Sequence, residues 1–556
     1  MAYIWQPLQL FTPLFTELYI KGKNILILFM KKLIVLLITF CFFCFTKATT
    51  HYVAVTGNDR TGNGSSSSPW ASLHTACNSV NNPGDVIHVI AGIYKEPSRC
   101  ELARGVSIEG EGKATHIYFN YYDSSIYDAA IYLNSKREGT NGNQSISNMW
   151  LDGNSFVCYS AIMVRCRSNV IIHDVTFTNF QAFAVSFNGR SGKWGTAPDI
   201  YSSGNQFYNC KTTDCSDRHK GGAGVIALTS QTNWLIHDNT FIQTGKEKSH
   251  NGNIVGAVEG YNKNGKYYNN VSYKPNDESE QEWNFGIESW YDEGGIEVYG
   301  NTFNGGGNAI DVGTGGGLKG EYAYSWYIHD NLFQTESQLA KFPVGRAQCI
   351  GVQFEDSASD ATITNNHFKN IGTGVQLTLS HGAAETQKRI YINNNLFENM
   401  GYADGSFGGF MVVLTCSAGA GFDSIFIDNN TFISGNIGHS RAALYINSAS
   451  GQTSNIYFRN NIIKSVATYG YITFDGTHKI DKVFSQNNII YNNSNNNNPF
   501  TRGSPRVTNF INTGNIVSDP QLDNNYHLKA GSPGIGRGTD VGHGKNIGAQ
   551  RNKDAH

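Results

Sequence analysis

NWLIHDNTF (233–241), GIEVYGNTF (295–303), WYIHDNLF (326–333), ATITNNHF (361–368), IYINNNLF (390–397) and IFIDNNTF (425–432) are versions of one phrase. Each alternates apolar and polar residues, reaches an Asn, passes one residue and ends on Phe. Weaker copies end at Asn461 and Asn488. From Asn301 on, copies that follow one another lie roughly 27–35 residues apart, the length of one solenoid coil. Period-two alternation makes a strand with one face inward. Asn tolerates the left-handed backbone of a sharp corner, and its amide can hydrogen-bond to the Asn of the next coil. The aromatic after it drops into the core. The phrase therefore predicts stacked coils with an Asn ladder outside an apolar ladder, a structural device to which no chemistry is assigned.

The repeat changes what length means. At 556 residues the chain is long enough for several average domains, yet a solenoid grows without adding any. A formal net charge of -2 points to neither nucleic acid nor an anionic membrane as partner. From Met30 the chain reads MKKLIVLLITFCFFCFTKA: two lysines, an apolar run and a small-residue end at Ala48. That is the pattern of a secretory signal peptide cleaved after Ala48, with Met30 as the natural start. The apolar run is short of the ~20 residues a span needs, so the mature chain is expected to be secreted or periplasmic, without a membrane span. Export permits disulfides, and the close pairs Cys158/Cys166 and Cys210/Cys215 are the candidates. Cys349 and Cys416 read as small buried fillers. No Cys/His cluster has zinc spacing.

Two further segments complete the picture. HYVAVTGNDRTGNGSSSSPWASLHTACNSVNNPGDVIHVIAGIYKE (51–96) opens the repeat region, and SDPQLDNNYHLKAGSPGIGRGTDVGHGKNIGAQR (518–551) closes it. With these and the repeated phrase, the chain resembles the pectate-lyase-like right-handed parallel β-helix superfamily over about residues 50–550. The resemblance implies an all-β chain, a right-handed parallel β-helix (solenoid) with a short N-terminal capping helix over Trp70 to Val80. It implies an extension and signal peptide (1–48), a cap with the first coils (49–115), a β-helix with a catalytic groove (116–500) and a closing segment (501–556). It also implies an exported carbohydrate-active protein, but names no substrate, because lyases, hydrolases, epimerases and adhesins share the fold.

In β-helical sugar enzymes one sheet carries the cleft, and a second strand per coil supplies it here: AIYLN, AIMVR, AVSFN, VIALT, AVEGY, GIESW, AIDVG, GVQFE, GVQLT and their successors. Aligned on inward apolar residues, they leave two outward rows. Through its middle the first row reads Ala227, Glu259, Glu288, Asp311, Gln353 and Gln376. The second reads Thr229, Tyr261, Trp290, Gly313, Glu355 and Thr378. Neighbouring strands sit ~4.8 Å apart, so Glu259, Glu288 and Asp311 form a tight acidic column. Like charges so close push one pKa upward and yield an acid and a base at neutral pH. Tyr261 and Trp290 are expected as a platform for a sugar ring. Gln353, Glu355 and Gln376 extend the polar surface, and His381 stands at the mouth of the sheet. His219 and Lys220 lie at the groove edge, and His237 and His329 carry no role. This register turns Gly260 and Ser289 toward the core, where a bulge is the alternative.

The column fits a glycoside hydrolase acting on a polysaccharide or oligosaccharide, with Glu288 and Asp311 as the catalytic pair, Glu259 tuning them, and no cofactor. The alternative is a polysaccharide lyase acting on a uronic-acid polymer. In it Glu259, Glu288 and Asp311 hold Ca²⁺, and Lys220, Tyr261 or His381 removes the proton. A non-catalytic carbohydrate-binding or adhesin solenoid is the third reading. A monomer is expected in each case.

Overall fold

The computed structural model describes residues 48–122, 128–189, 199–215, 224–243, 255–256, 260–273, 284–305, 308–313, 324–335, 350–380, 385–401, 409–434, 440–466, 469–493 and 498–550. The signal-peptide expectation falls on residues outside these. Thr50–His556 forms one compact unit. It is a right-handed parallel β-helix, and every strand pairs in parallel with its counterpart one coil away. Among the described residues no helix is long and apolar enough to cross a membrane.

Most described coils have three strands where the sequence suggested two, while Thr140–Asp152 and Arg167–Thr178 run unbroken through the corner. In one coil Leu235–His237 runs to the corner and Thr240–Ile242 leaves it, before a strand of the second sheet follows. The corner also corrects the Asn ladder. The left-handed backbone belongs to the residue before the repeated Asn: Asp238, Asn269, Gly300, Asp330, Asn365, Asn394, Asn429 and Asn460 all have φ between 53° and 63°. The repeated Asn itself is buried, inside the coil and not outside it. Asn366 shows why. Its Oδ1 accepts from the Asn331 backbone N–H at 3.1 Å and from Asn331 Nδ2 at 3.0 Å. Its Nδ2 donates to Ile328 O at 2.9 Å and to Asn395 Oδ1 at 3.1 Å. Turning the chain leaves polar backbone groups inside the corner, and the amide satisfies them where water cannot reach.

The aromatic ring two residues on packs inward as expected. Phe333, Phe368, Phe397 and Phe432 stack at 4.7 to 4.8 Å. Room for these rings is made by glycines entering the other sheet: a Cβ at Gly374 would lie 2.3 Å from the Phe397 ring. One coil had no recognisable phrase, and it centres on Asn270, which joins the ladder between Asn239 and Asn301. There Ser272 takes the Phe position, and Tyr267 from the preceding strand fills the core between Phe241 and Phe303.

The second sheet has fourteen strands. In order they are β1 (Cys100–Glu101), β2 (Ile131–Asn134), β3 (Ile162–Arg165), β4 (Val185–Asn188), β5 (Ile226–Thr229), β6 (Val255–Gly256) and β7 (Asn284–Trp290). Then come β8 (Asn308–Gly313), β9 (Ile350–Glu355), β10 (Thr373–Leu379), β11 (Phe410–Cys416), β12 (Ala442–Ser448), β13 (Ile472–Gly476) and β14 (Phe500–Thr501). Ahead of β1, helix α1 (Leu73–Ser79) closes the end of the core with Leu73, Ala76 and Cys77. Ser72 caps it by accepting from Thr75 N, and the buried Glu96 carboxylate accepts from Leu73 N. At the other end the chain turns back after Arg506–Thr513, and Ile547 packs on Ile462 and Ile489.

The expected disulfides do not form. Cys158 and Cys166 flank β3, and Cys210 and Cys215 flank the strand Lys211–Thr213. An extended strand between two cysteines carries their thiols ~10 Å or more apart, beyond any S–S bond. Cys77 on α1 and Cys100 on β1, which sequence spacing gave no reason to pair, have hydrogen-bonded thiols in the core. Cys416 is the buried filler expected of it, and Cys349 lies outside the described residues.

Candidate active site

Strand pairing fixes which outward residues stand together. Glu288 of β7 lies beside Asp311 of β8, which lies beside Gln353 of β9 and then Gln376 of β10. Toward the N-terminal end the row continues through Gly256, Ala227, Ser186, Met163 and Tyr132. Most of this outward row is covered. Tyr132 and Met163 are buried with Ala129, Ala227 with Tyr159 and Phe183, and Val413 and Tyr445 with Phe410. Among the row's described residues, Glu288 and Asp311 are the pair that keeps contact with solvent.

The position expected for Glu259 belongs to Gly256, which pairs with Ala227 on one side and Glu288 on the other. Glu259 lies outside the described residues. Three residues separate Gly256 from Gly260 where one separates Glu288 from Trp290. Gly260 then lies directly against Trp290: an added Cβ would be 1.7 Å from Trp290 O. Tyr261, one residue further, is a left-handed corner residue (φ 57°) with 0% exposure, stacked on Tyr291. It presents no face to a sugar, and burial excludes it as a platform or as a base.

Trp290 does stand in the open, 42% exposed, and its indole Nε1 donates to Glu288 Oε1 at 2.8 Å. Gln353 bridges the other acids, its Nε2 at 2.5 Å from Glu355 Oε1 and 3.5 Å from Asp311 Oδ2. Gln376 Nε2 and Asn308 Nδ2 in turn hold Gln353 Oε1, at 3.2 and 3.5 Å. Asn308, at the start of β8, escaped the sequence reading because it lies outside the alternating window. Burial, and then the carboxylates of Glu355 and Glu288, push Asp311 well above the usual carboxylate range. Among the described residues Asp311 Oδ1 has no hydrogen-bond partner. A half-buried carboxyl group held toward its protonated form is therefore set beside the half-buried Glu288 side chain. Glu355 is a third acid of the group.

Ser289 faces inward as the register required, and it is satisfied there. Its hydroxyl donates to Asp292 Oδ2 at 2.8 Å, and Asp292 Oδ1 accepts from Asn262 N and Nδ2. Burial raises Asp292 to about 6. A folded-state pKa above the unfolded one means that this group's stabilisation is full below ~4 and is lost as pH rises through about 6. Asp292→Asn is expected to keep the hydrogen bonds and remove that loss. By denaturant titration the variant should gain up to roughly 3 kcal/mol over wild type at pH ~8 and nothing at pH ~4, the arithmetic of about two pKa units.

No family model matches the chain, and no curated protein does. Solved structures match in fold. A tailspike protein of E. coli bacteriophage HK620, a double mutant in complex with a pentasaccharide, aligns with a TM-score of 0.52 at 11% identity, covering 80% of this chain and 77% of that one. The chain shares its fold with that tailspike. The A-module of a mannuronan C-5 epimerase from Azotobacter vinelandii aligns at 0.41 with 14% identity, over 81% of this chain and 94% of that one. An alginate lyase from Paenibacillus aligns at 0.32 with 12% identity, over 62% and 99%. Likeness at these identities is likeness of fold.

Glu259, one of the three acids considered for calcium, lies outside the described residues; among the described residues no group of three acid, His or Cys side chains is arranged to bind an ion. His381, His219 and Lys220 lie outside the described residues. His237 and His329 stack in an external ladder with Tyr208, Tyr268 and Tyr299 on another face of the helix.

Proposed function

We propose that the chain is an exported, monomeric polysaccharide-cleaving enzyme, a glycoside hydrolase whose acid is Asp311 and whose nucleophile is Glu288. The observation that carries this reading is the state of Asp311: half-buried, held above the usual carboxylate range by its burial and by two neighbouring carboxylates, and with one oxygen unbonded among the described residues. Hydrolysis needs one carboxyl group that keeps its proton at neutral pH and one that has lost it. Adjacent strands ~4.8 Å apart fit the ~5 Å separation of a retaining pair. Asp311 then gives its proton to the glycosidic oxygen while Glu288 attacks the anomeric carbon, forming a glycosyl ester and releasing the leaving sugar. Water, deprotonated by the Asp311 carboxylate, next breaks the ester, and both groups return to their starting states. Gln353 holds Asp311 and Glu355 in register, and the Trp290 N–H orients Glu288. Support comes also from the tailspike of shared fold, whose solved structure is a variant at one aspartate and one glutamate in complex with a pentasaccharide.

The test is digestion of a polysaccharide panel. Reducing ends should appear without an unsaturated, ultraviolet-absorbing product. An unsaturated product would assign β-elimination and overturn the hydrolase reading. Trp290→Ala should raise KM through loss of ~1–3 kcal/mol of ring stacking, by analogy with bases stacked on aromatic side chains. An unchanged KM would place the indole outside the sugar path.

A further inference from the structure

At the capped end of the same sheet lies a cavity of about 500 Å³. Its walls come from α1, from the segment after β1 and from the segment after β2, and Tyr132 and Asn134 of β2 border it. Its charges are unbalanced. Arg104, Lys136, Arg137 and Arg167 line it against one acid, Glu101, and that acid is already bound to Arg99. Arg104, Lys136 and Arg137 are exposed, and their side chains have no ion-pair or hydrogen-bond partner among the described residues.

Arg167 is the unusual member. It is 3% exposed, and its guanidinium donates to Ser135 Oγ, Gln144 Oε1, Leu102 O and Asn134 O at 2.7 to 3.2 Å. All four acceptors are neutral. A buried cation without a counter-charge is unfavourable unless an anion completes it. Burial and then the nearby Arg104 push its pKa down to about 10, the direction expected of a cation lacking an acid. A purely structural arginine would leave no reason for three more unpaired cations around the same opening.

We propose that this cavity binds an anionic substituent, a carboxylate or a sulfate ester, carried by a sugar of the glycan whose cleavage point lies at Glu288 and Asp311. The inference rests on the hydrolase reading and adds the class of substrate: an acidic polysaccharide. The cavity and the acids share one face of one sheet, since β2 lies five strands before β7, about 24 Å at the strand spacing. A chain of several sugars spans that distance. The basic end would draw an acidic glycan along the sheet and hold it while a distant ring sits at the acids.

The experiment uses the full chain with Glu288→Gln, so that binding is read without turnover. Calorimetry compares an oligouronate, a sulfated oligosaccharide, a neutral oligosaccharide of equal length, and inorganic sulfate. The expected result is tighter binding of one acidic oligosaccharide than of the neutral one, weakening as salt rises. Substituting Arg104, Lys136 and Arg137 together by Ser should weaken that binding by about tenfold or more, with the neutral probe and the unfolding midpoint unchanged. Which acidic probe responds distinguishes carboxylate from sulfate. Equal binding of acidic and neutral probes, or indifference to the triple substitution, overturns the proposal. So does binding of inorganic sulfate alone. An acidic glycan bound at the cavity but not cleaved by the wild-type chain would instead overturn the hydrolase reading. Cleavage of neutral glycans with an idle cavity would do the reverse.

Discussion

Asp311→Asn is expected to lower kcat by ~10²–10⁴-fold, the range for loss of a positioned general acid. The amide keeps the size of the side chain and its contact with Gln353 but has no proton to give. Because the fold holds Asp311 protonated above the usual carboxylate range, activity should fall on the alkaline side as that proton is lost. The variant should lose this alkaline limb and keep the acid one. Glu288→Gln should cost a similar factor and remove the acid limb, since the nucleophile must be ionised. A substrate with an activated leaving group separates the two roles: it needs little protonation, so it should rescue glycosyl transfer in Asp311→Asn and not in Glu288→Gln. Wild-type rates in both variants would make the acids ordinary solvated surface.

The largest stability effect is expected from the buried ladder. Asn366→Leu conserves volume but leaves the Asn331 N–H and the Ile328 carbonyl inside the corner without their partner. At ~1–3 kcal/mol per orphaned group, with the lost bond to Asn395, the expected destabilisation is roughly 3–5 kcal/mol. Thr362→Ala, on the outward face of the same coil, should stay within about 0.5 kcal/mol. Hydrogen exchange at Asn331 and its neighbours should speed up in the first variant and not in the second. Equal effects would mean that the ladder amides do no more than fill space.

These two regions also mark what the sequence could and could not tell. The solenoid was legible because each phrase repeats an inward apolar residue and a ring at fixed offset. The side of the Asn was misread because two adjacent residues could make the corner. Backbone polarity decides between them: the first residue takes the left-handed turn and the second enters to bond the orphaned groups. The coil at Asn270 was invisible because Ser272 replaced the ring that defines the phrase, while Tyr267 replaced it in space. In the groove, AIDVG and GVQFE each allow one inward register, and in GIESW the other register would bury a charge, so Glu288, Asp311, Gln353 and Glu355 fall on the strand positions expected of them. In IVGAVEGY the pairing falls on Val255 and Gly256. Tyr261 is thereby taken out of the row assigned to it, and Glu259 lies outside the described residues. Asp292 and Asn308 were missed for a simpler reason: their importance comes from burial beside a partner far away in sequence.

A stack of coils is open at its ends, where the last rung has a neighbour on one side only and can peel away. The returning C-terminal tail meets that weakness at the corner amides. Thr539 bonds to Asn487 and Asn460, Asn546 O accepts from Asn429, and Gln550 reaches Asn394. Four successive corners are thus clasped by one strip of chain laid along the stacking direction, so the final coil cannot unzip until the strip is stripped from all of them. The asparagines that let the backbone turn are also the buttonholes that keep the helix from fraying.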